Sequence, residues 1–148
     1  AAGKGMQVIL NPSPYDAQQK HVDLHKVSMI LINEIEGFQM SGQKEPSGIL
    51  QTIHTRFPRL KIVLTLGAEG AWYSEAGKEA IYQEACKVKA VDTTAAGDTF
   101  TGYFLARLAE GALVKEALQL AAGASAIAVT RKGASTSVPM RSEVEETI

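Results

Sequence analysis

Cysteine is nearly absent from this sequence. Cys86 stands alone, so no disulfide can form within the chain, and the expected compartment is a reducing one such as the cytoplasm. Long apolar runs are missing as well: none approaches the roughly 20 residues that a membrane-crossing helix needs. Charge of one sign is concentrated nowhere. Lys and Arg number 15 against 16 Asp and Glu, so no basic stripe points to nucleic acid and no acidic tail to a binding arm. Small anionic ligands stay open, because backbone amides can bind them. The N-terminal AAGKGMQVIL lacks the apolar core and cleavage pattern of a secretory leader. It reads as the last turn of a helix, a stop at Gly5 and a strand, the expected beginning of a piece of something longer.

What is present is enough for one domain. The chain has 148 residues, 45% of them hydrophobic, which suits a single core. Short continuous apolar runs closed by turn signals predict buried strands at QVILNPSP, at VSMILIN (27–33) and at KIVLTLG (61–67). Helical patterns fall at 15–26, 34–41, 47–57, 97–109 and 113–129, with a short acidic helix at 141–147. In 97–109, Phe100, Phe104 and Leu108 form one stripe with Tyr103 beside them; in 113–129, Leu113, Ala117, Leu120, Ala124 and Ile127 share a face. Residues 70–75 and 80–90 read as shorter, antiparallel strands around EAGK. Strands alternating with helices predict an α/β fold with a mostly parallel sheet covered on both faces. Ligands in such folds collect beyond the carboxyl ends of the strands, here Asn11, Asn33 and Gly67, and at the VDTTAAGDTFTG segment.

That segment carries the strongest chemistry. Ala95, Ala96 and Gly97 are small enough to let backbone amides approach a ligand, and a helix beginning there adds partial positive charge. A transferring phosphoryl group needs such a cradle. Asp98 could orient a substrate hydroxyl and take its proton; equally, Thr94 or Asp98 could simply cap the helix. TLGAEG offers either a backbone surface for phosphates or a plain turn. NEIEG offers either a carboxylate for Mg²⁺ or an Asn33 cap with Glu36 in the first turn. A three-glycine dinucleotide fingerprint and a Walker loop are both absent, which disfavours an unrelated nicotinamide-binding α/β domain. His21, His25 and His54 sit on polar stretches and are expected to be solvated, and Cys86 to be a packed strand residue. The small-residue run AAGASAIAV would pack tightly or leave room for a flat ring, and RKGASTSVP could wrap a monovalent cation.

Taken in order, NEIE, TLGAEG, DTTAAGD, the small-residue helix and RKGASTSVP resemble the ribokinase family of sugar kinases over nearly the whole chain. Asp92 to Asp98 fit every position of that family's D-T-x-G/A-A-G-D signature. The resemblance implies a three-layer αβα ribokinase-like fold with an antiparallel hairpin, and ATP-dependent transfer of the γ-phosphoryl group to a sugar hydroxyl, ribose to ribose 5-phosphate being the first reaction to try. It implies Asp98 as catalytic base in contact with the substrate, and Ala95, Ala96 and Gly97 as the anion hole. It also implies a nucleotide site of Asn33, Thr65, Leu66, Gly67, Ala68, Glu69, Gly70, Gly97, Asp98 and Ala122. Glu36 would organise Mg²⁺ through water. Asp92, Thr94, Ala128, Arg131, Gly133 and Ser137 would hold K⁺ or another monovalent cation. The implied partners are ATP and a small sugar, with neither nucleic acid nor membrane, and the family's lid implies a homodimer of the full-length parent. Members run to about twice this length, and nothing here matches their sugar-binding half. Residues 1–148 are therefore expected to be the C-terminal part of one kinase domain, inactive alone. The alternative is a non-catalytic nucleotide- or anion-binding module.

Overall fold

The computed structural model describes residues 1–15 and 22–147. Its elements, in chain order, are β1 (Ile9–Leu10), β2 (Met29–Asn33), α1 (Glu34–Ser41), α2 (Pro46–Arg56), β3 (Lys61–Thr65), β4 (Ala71–Ser74), β5 (Ile81–Gln83), α3 (Ala96–Ala109), α4 (Val114–Val129) and α5 (Arg141–Glu145). The five strands form one sheet in the order β1-β2-β3-β4-β5. β1 pairs with β2 and β2 with β3 in parallel, Ile9 opposite Met29 and Asn33 opposite Thr65. Residues 66–70 and 75–80 join the last strands by connections too short for a parallel crossover, so the sheet is mixed, as the sequence predicts.

The described chain forms two compact units. The first comprises Ala1–Leu66 with Trp72–Tyr82. Its core exists because β2 and β3 are apolar on both faces: Ile30, Ile32, Ile62 and Leu64 are buried together with Ile49, Leu50 and Ile53 of α2. Full burial of each such side chain contributes about 1.5–3 kcal/mol. α1 starts at the Asn33 cap and stops where Gly42 takes a left-handed conformation; α2 starts with Pro46 at its first position.

The second unit comprises Gly67–Ala71 with Gln83–Ile148. α3 buries Thr99, Phe100 and Phe104, while Leu108 is only half-buried. α4 does more than bury one face. Ala117, Leu118, Leu120, Ala121, Ala122, Ala124, Ala126 and Ala128 are all buried, because alanine lets neighbours close in from every side. Leu113, expected on the buried face, is 70% exposed just before the helix.

Other expectations also need correction. The helix at 15–26 falls partly on residues 16–21, which lie outside the described residues. In 22–26 the chain makes only a tight turn, Leu24–Lys26, begun by the Asp23 carboxylate accepting from the His25 amide. The stretch is too sparse in apolar positions to bury a helix face. The strand at QVILNPSP shrinks to two residues. The strand at 80–90 ends at Gln83, and Cys86 is exposed rather than packed. Charges at Glu84, Lys87 and Lys89 alternate with small apolar residues, a pattern that suits a solvated segment as well as a strand.

One glycine is sterically required. Gly70 has φ +110°, and a Cβ there would lie 2.1 Å from the Gln83 carbonyl oxygen. Gly70→Ala is expected to cost about 2–4 kcal/mol, seen as a lower urea midpoint, whereas Gly3→Ala changes stability by less than about 0.5 kcal/mol. An unchanged midpoint in Gly70→Ala would remove the steric argument.

Candidate functional site

In the first unit, the parallel register sets Asn33 and Thr65 side by side at the carboxyl ends of β2 and β3. The chain turns at once into α1, and the turn is closed reciprocally. The Asn33 side-chain oxygen accepts from the Glu36 amide at 2.9 Å, and Glu36 Oε2 accepts from the Asn33 amide at 2.9 Å. This is a full capping box, so the capping role considered for these residues is present. It does not exhaust Glu36. Its side chain is 4% exposed, and only one carboxylate oxygen serves the cap. Among the described residues no group of three or more His, Cys, Asp or Glu is placed to hold a metal. A single carboxylate fits Mg²⁺ all the same, because this ion keeps several waters and takes its other ligands from substrate phosphates. The Thr65 hydroxyl donates to the Ile32 carbonyl at 3.4 Å, a long bond that leaves it adaptable.

In the second unit, Gly67–Glu69 form a tight turn closed by the Gly70 amide donating to the Gly67 carbonyl. Gly67 has φ +54° and is exposed, so this backbone is open to a ligand. Further on, the Asp92 carboxylate gathers the loop. One oxygen accepts from the Thr94 amide (3.0 Å) and hydroxyl (2.5 Å); the other accepts from the Gly133 amide at 3.0 Å. The Val91 and Asp92 amides both donate to the Val129 carbonyl. Bonds from the Thr94 hydroxyl, then the Gly133 and Thr94 amides, pull the Asp92 carboxyl down to about 2. Gly133 has φ +103°, a conformation that favours glycine, and a Cβ there would meet the Thr136 hydroxyl at 2.5 Å.

This geometry brings Asp92, Thr94 and Gly133 together, with Ala128 and Arg131 at the end of α4; Ser137 is the buried residue of an otherwise exposed turn, and its hydroxyl donates to the Ala134 carbonyl. Among the described residues no protein donor reaches the carbonyls of Thr94, Arg131 or Gly133. Unused carbonyls on a folded loop suit a monovalent cation. The Arg131 guanidinium itself is occupied by Glu143 of α5.

α3 begins without a side-chain cap: Ala95 takes the capping position and neither Thr94 nor Asp98 caps the helix. Thr94 is drawn to Asp92 instead. The Ala96 amide donates to the Thr93 carbonyl and the Thr99 amide to the Ala95 carbonyl. The Gly97 and Asp98 amides are left with no protein acceptor among the described residues. The side chain of Asp98 is exposed beside them. Free first-turn amides and the helix dipole together favour an anion. Asp98 also lies on the wall of a cavity of about 380 Å³ that includes Thr99, Gly102, Tyr103, Leu120 and Val138. Ala122 is buried in α4.

Two supporting residues escape a sequence reading. The Ser125 hydroxyl donates to the Ala96 carbonyl at 3.0 Å, fastening α4 to the start of α3. Its only sequence signal is being the one hydroxyl in AAGASAIAV. The Tyr103 hydroxyl donates to the Pro139 carbonyl at 2.7 Å and holds the loop before α5. Of the histidines, His21 lies outside the described residues and His25 is exposed as expected. His54 is not simply solvated: Nε2 is 2.9 Å from the Ser74 hydroxyl and Nδ1 is buried.

Residues 1–141 match the pfkB family carbohydrate kinase. A ribokinase of Schizosaccharomyces pombe is 38% identical over 148 aligned residues, covering 95% of this chain and 46% of that protein. A ribokinase of Haemophilus influenzae is 36% identical, covering 99% of this chain and 48% of the other. The crystal structure of a Cryptococcus neoformans ribokinase in complex with ADP superposes with a TM-score of 0.87 at 31% identity, covering 99% of this chain and 54% of that one. The chain thus has the ribokinase-like αβα fold and spans about half the length of the relatives it matches. Among the described residues no helix is long and apolar enough to cross a membrane.

The Asp92 hub has a measurable pH signature. Its carboxyl titrates lower in the folded chain than the ordinary 3.8, so its stabilisation is present above that value and is lost as pH falls toward about 2. Asp92→Asn is expected to have a lower urea midpoint than the parent chain at pH 7, with the gap narrowing below pH 3.8 and closing near pH 2. A gap that stays constant across this range would show that charge at Asp92 contributes nothing.

Proposed function

The chain belongs to the pfkB family of carbohydrate kinases, and from that premise we propose that it is the nucleotide-binding and catalytic-base part of an ATP-dependent sugar kinase, with D-ribose the acceptor. The observation that carries this reading is the start of α3, where two unengaged amides and an exposed carboxylate lie within one helical turn. A phosphoryl group in transfer spreads charge over its oxygens, and preorganised amides stabilise that charge without having to reorient. The Gly97 and Asp98 amides take this role, with the small Ala95 and Ala96 allowing close approach. The sugar hydroxyl oxygen bonds to the γ-phosphorus as the bond to the bridging oxygen of ATP breaks. Asp98 takes the hydroxyl proton, and ADP leaves. A carboxylate is a weak base, but the hydroxyl becomes acidic only as its bond to phosphorus forms, so placement supplies most of the rate.

The remaining roles fall to the other residues of the two units. Each unit carries its own part of the nucleotide-binding set: Asn33, Thr65 and Leu66 in the first, the 67–70 turn and Ala122 in the second. Glu36 holds Mg²⁺ through water, and that ion supplies charge neutralisation on the phosphates when bound. Asp92, Thr94, Ala128, Arg131, Gly133 and Ser137 would hold a monovalent cation, whose charge would stiffen the loop. The ADP bound to the Cryptococcus neoformans ribokinase supports the nucleotide assignment, and the relatives' names support ribose. Because the matched relatives are about twice as long, we assign the sugar-binding residues to a segment outside residues 1–148 of one kinase domain. The intact kinase is a cytoplasmic homodimer in this reading.

Two measurements test it. The chain by itself, given ATP, Mg²⁺, K⁺ and D-ribose, is expected to show no turnover; a normal kinase rate would refute the division of labour. In a full-length kinase containing this segment, Asp98→Asn should lower kcat by about 100-fold or more while nucleotide affinity stays within about threefold. Unchanged turnover would leave a binding module and remove Asp98 as the base.

A further inference from the structure

Ser125 sits in a run of smaller residues: Ala121, Ala122, Gly123, Ala124 and Ala126 of α4 are all buried around it. Serine is a poorer helix former than alanine and fills hardly more space, so what it adds here is the hydroxyl. A serine inside a helix ordinarily returns its hydroxyl to the carbonyl one turn earlier. That of Ser125 crosses instead to the Ala96 carbonyl of α3, at 3.0 Å and 29 residues away in the chain.

The carbonyl it reaches belongs to the same peptide group as the Gly97 amide. A trans peptide group is planar, so its C=O and N–H point in opposite directions. Holding the oxygen against α4 therefore aims the Gly97 N–H the other way. There Gly97 is exposed, and its amide has no protein acceptor among the described residues. A hydrogen bond accepted by the carbonyl also polarises the peptide and makes its N–H a stronger donor. A carbonyl has two lone pairs, so Ser125 adds to the helix ladder of α3 without displacing a rung.

The same helix fixes the other end of this loop. The Val91 and Asp92 amides donate to the Val129 carbonyl at 2.7 and 3.1 Å. Val129 follows Ser125 by about one helical turn, or about 6 Å along α4. Residues 91–96 are thus pinned to α4 at both ends, and Ser125 is the pin beside the unengaged amide.

We propose that Ser125 is a positioning residue for phosphoryl transfer: its hydroxyl aims the Gly97 amide at the transferring group and strengthens it as a donor. The role rests on reading the α3 start as the transfer site. It acts mainly in the transition state, when charge on the phosphoryl oxygens calls most on that amide.

Ser125→Ala removes one oxygen from a helix already built of alanine, a change that helix tolerates well. In a full-length kinase containing this segment, it should lower the single-turnover rate at saturating ATP and D-ribose about five- to tenfold. The KM for ATP should stay within about twofold of the parent. ADP alone should bind parent and variant equally. ADP with aluminium fluoride, which mimics the transferring group, should bind the variant more weakly by the factor that the rate falls. A raised KM for ATP at unchanged rate would overturn the proposal, because Ser125 would then be placing the nucleotide. Equal weakening of ADP with and without aluminium fluoride would overturn it too, because the hydroxyl would then hold only the helix. Asp98→Asn separates the two levels of the reading. If it is slow while Ser125→Ala keeps the parent rate, only the role of Ser125 falls. If Asp98→Asn turns over as the parent does, the kinase reading falls and this role with it.

Discussion

The second unit is organised around one carboxylate. Asp92 joins the loop that precedes α3 to the loop that comes after α4, through Thr94 on one side and Gly133 on the other. Most residues of both loops are exposed, so packing alone would not fix their course. The Thr94 hydroxyl donates to Asp92, and Ala95, which has no side-chain acceptor, takes the capping position, so α3 opens with the Gly97 and Asp98 amides unengaged.

A second economy operates at Asn33 and Glu36. The capping box places a buried acid at the carboxyl end of the sheet, where its charge is held by the Asn33 amide and the dipole of α1. Reading this pair as a cap or as a metal ligand is a false choice. The cap is what makes a solitary buried carboxylate tolerable, and its geometry leaves one oxygen free of the helix.

The sequence made much of this legible, for physical reasons. Continuous apolar runs at 29–33 and 61–65 can be satisfied only as doubly covered strands, so β2 and β3 were clear from composition. The Gly and Pro punctuation around α1 and α2 set their ends. DTTAAGD alone left a plain helix start open as a reading; its order with NEIE, TLGAEG and RKGASTSVP is what carried the family resemblance. Less legible were features decided by partners distant in sequence. Whether Val88 and Cys86 belong to a strand depends on a neighbouring strand being present, and β5 stops at Gln83. His54 looks solvated on a helical wheel, but Ser74, twenty residues away, covers it. The Asp92–Gly133 bond spans 41 residues and has no local signature.

Ser125 ties the carbonyl at the start of α3 to α4, and Ala122 lies one turn earlier on the same helix. Three residues of α-helix span about 4.5 Å, a length that side-chain substitution hardly alters. α4 is walled in on nearly its whole circumference, so it can neither roll nor slide without opening voids. It therefore holds Ala122 at a fixed offset from the start of α3, whatever comes to rest against either.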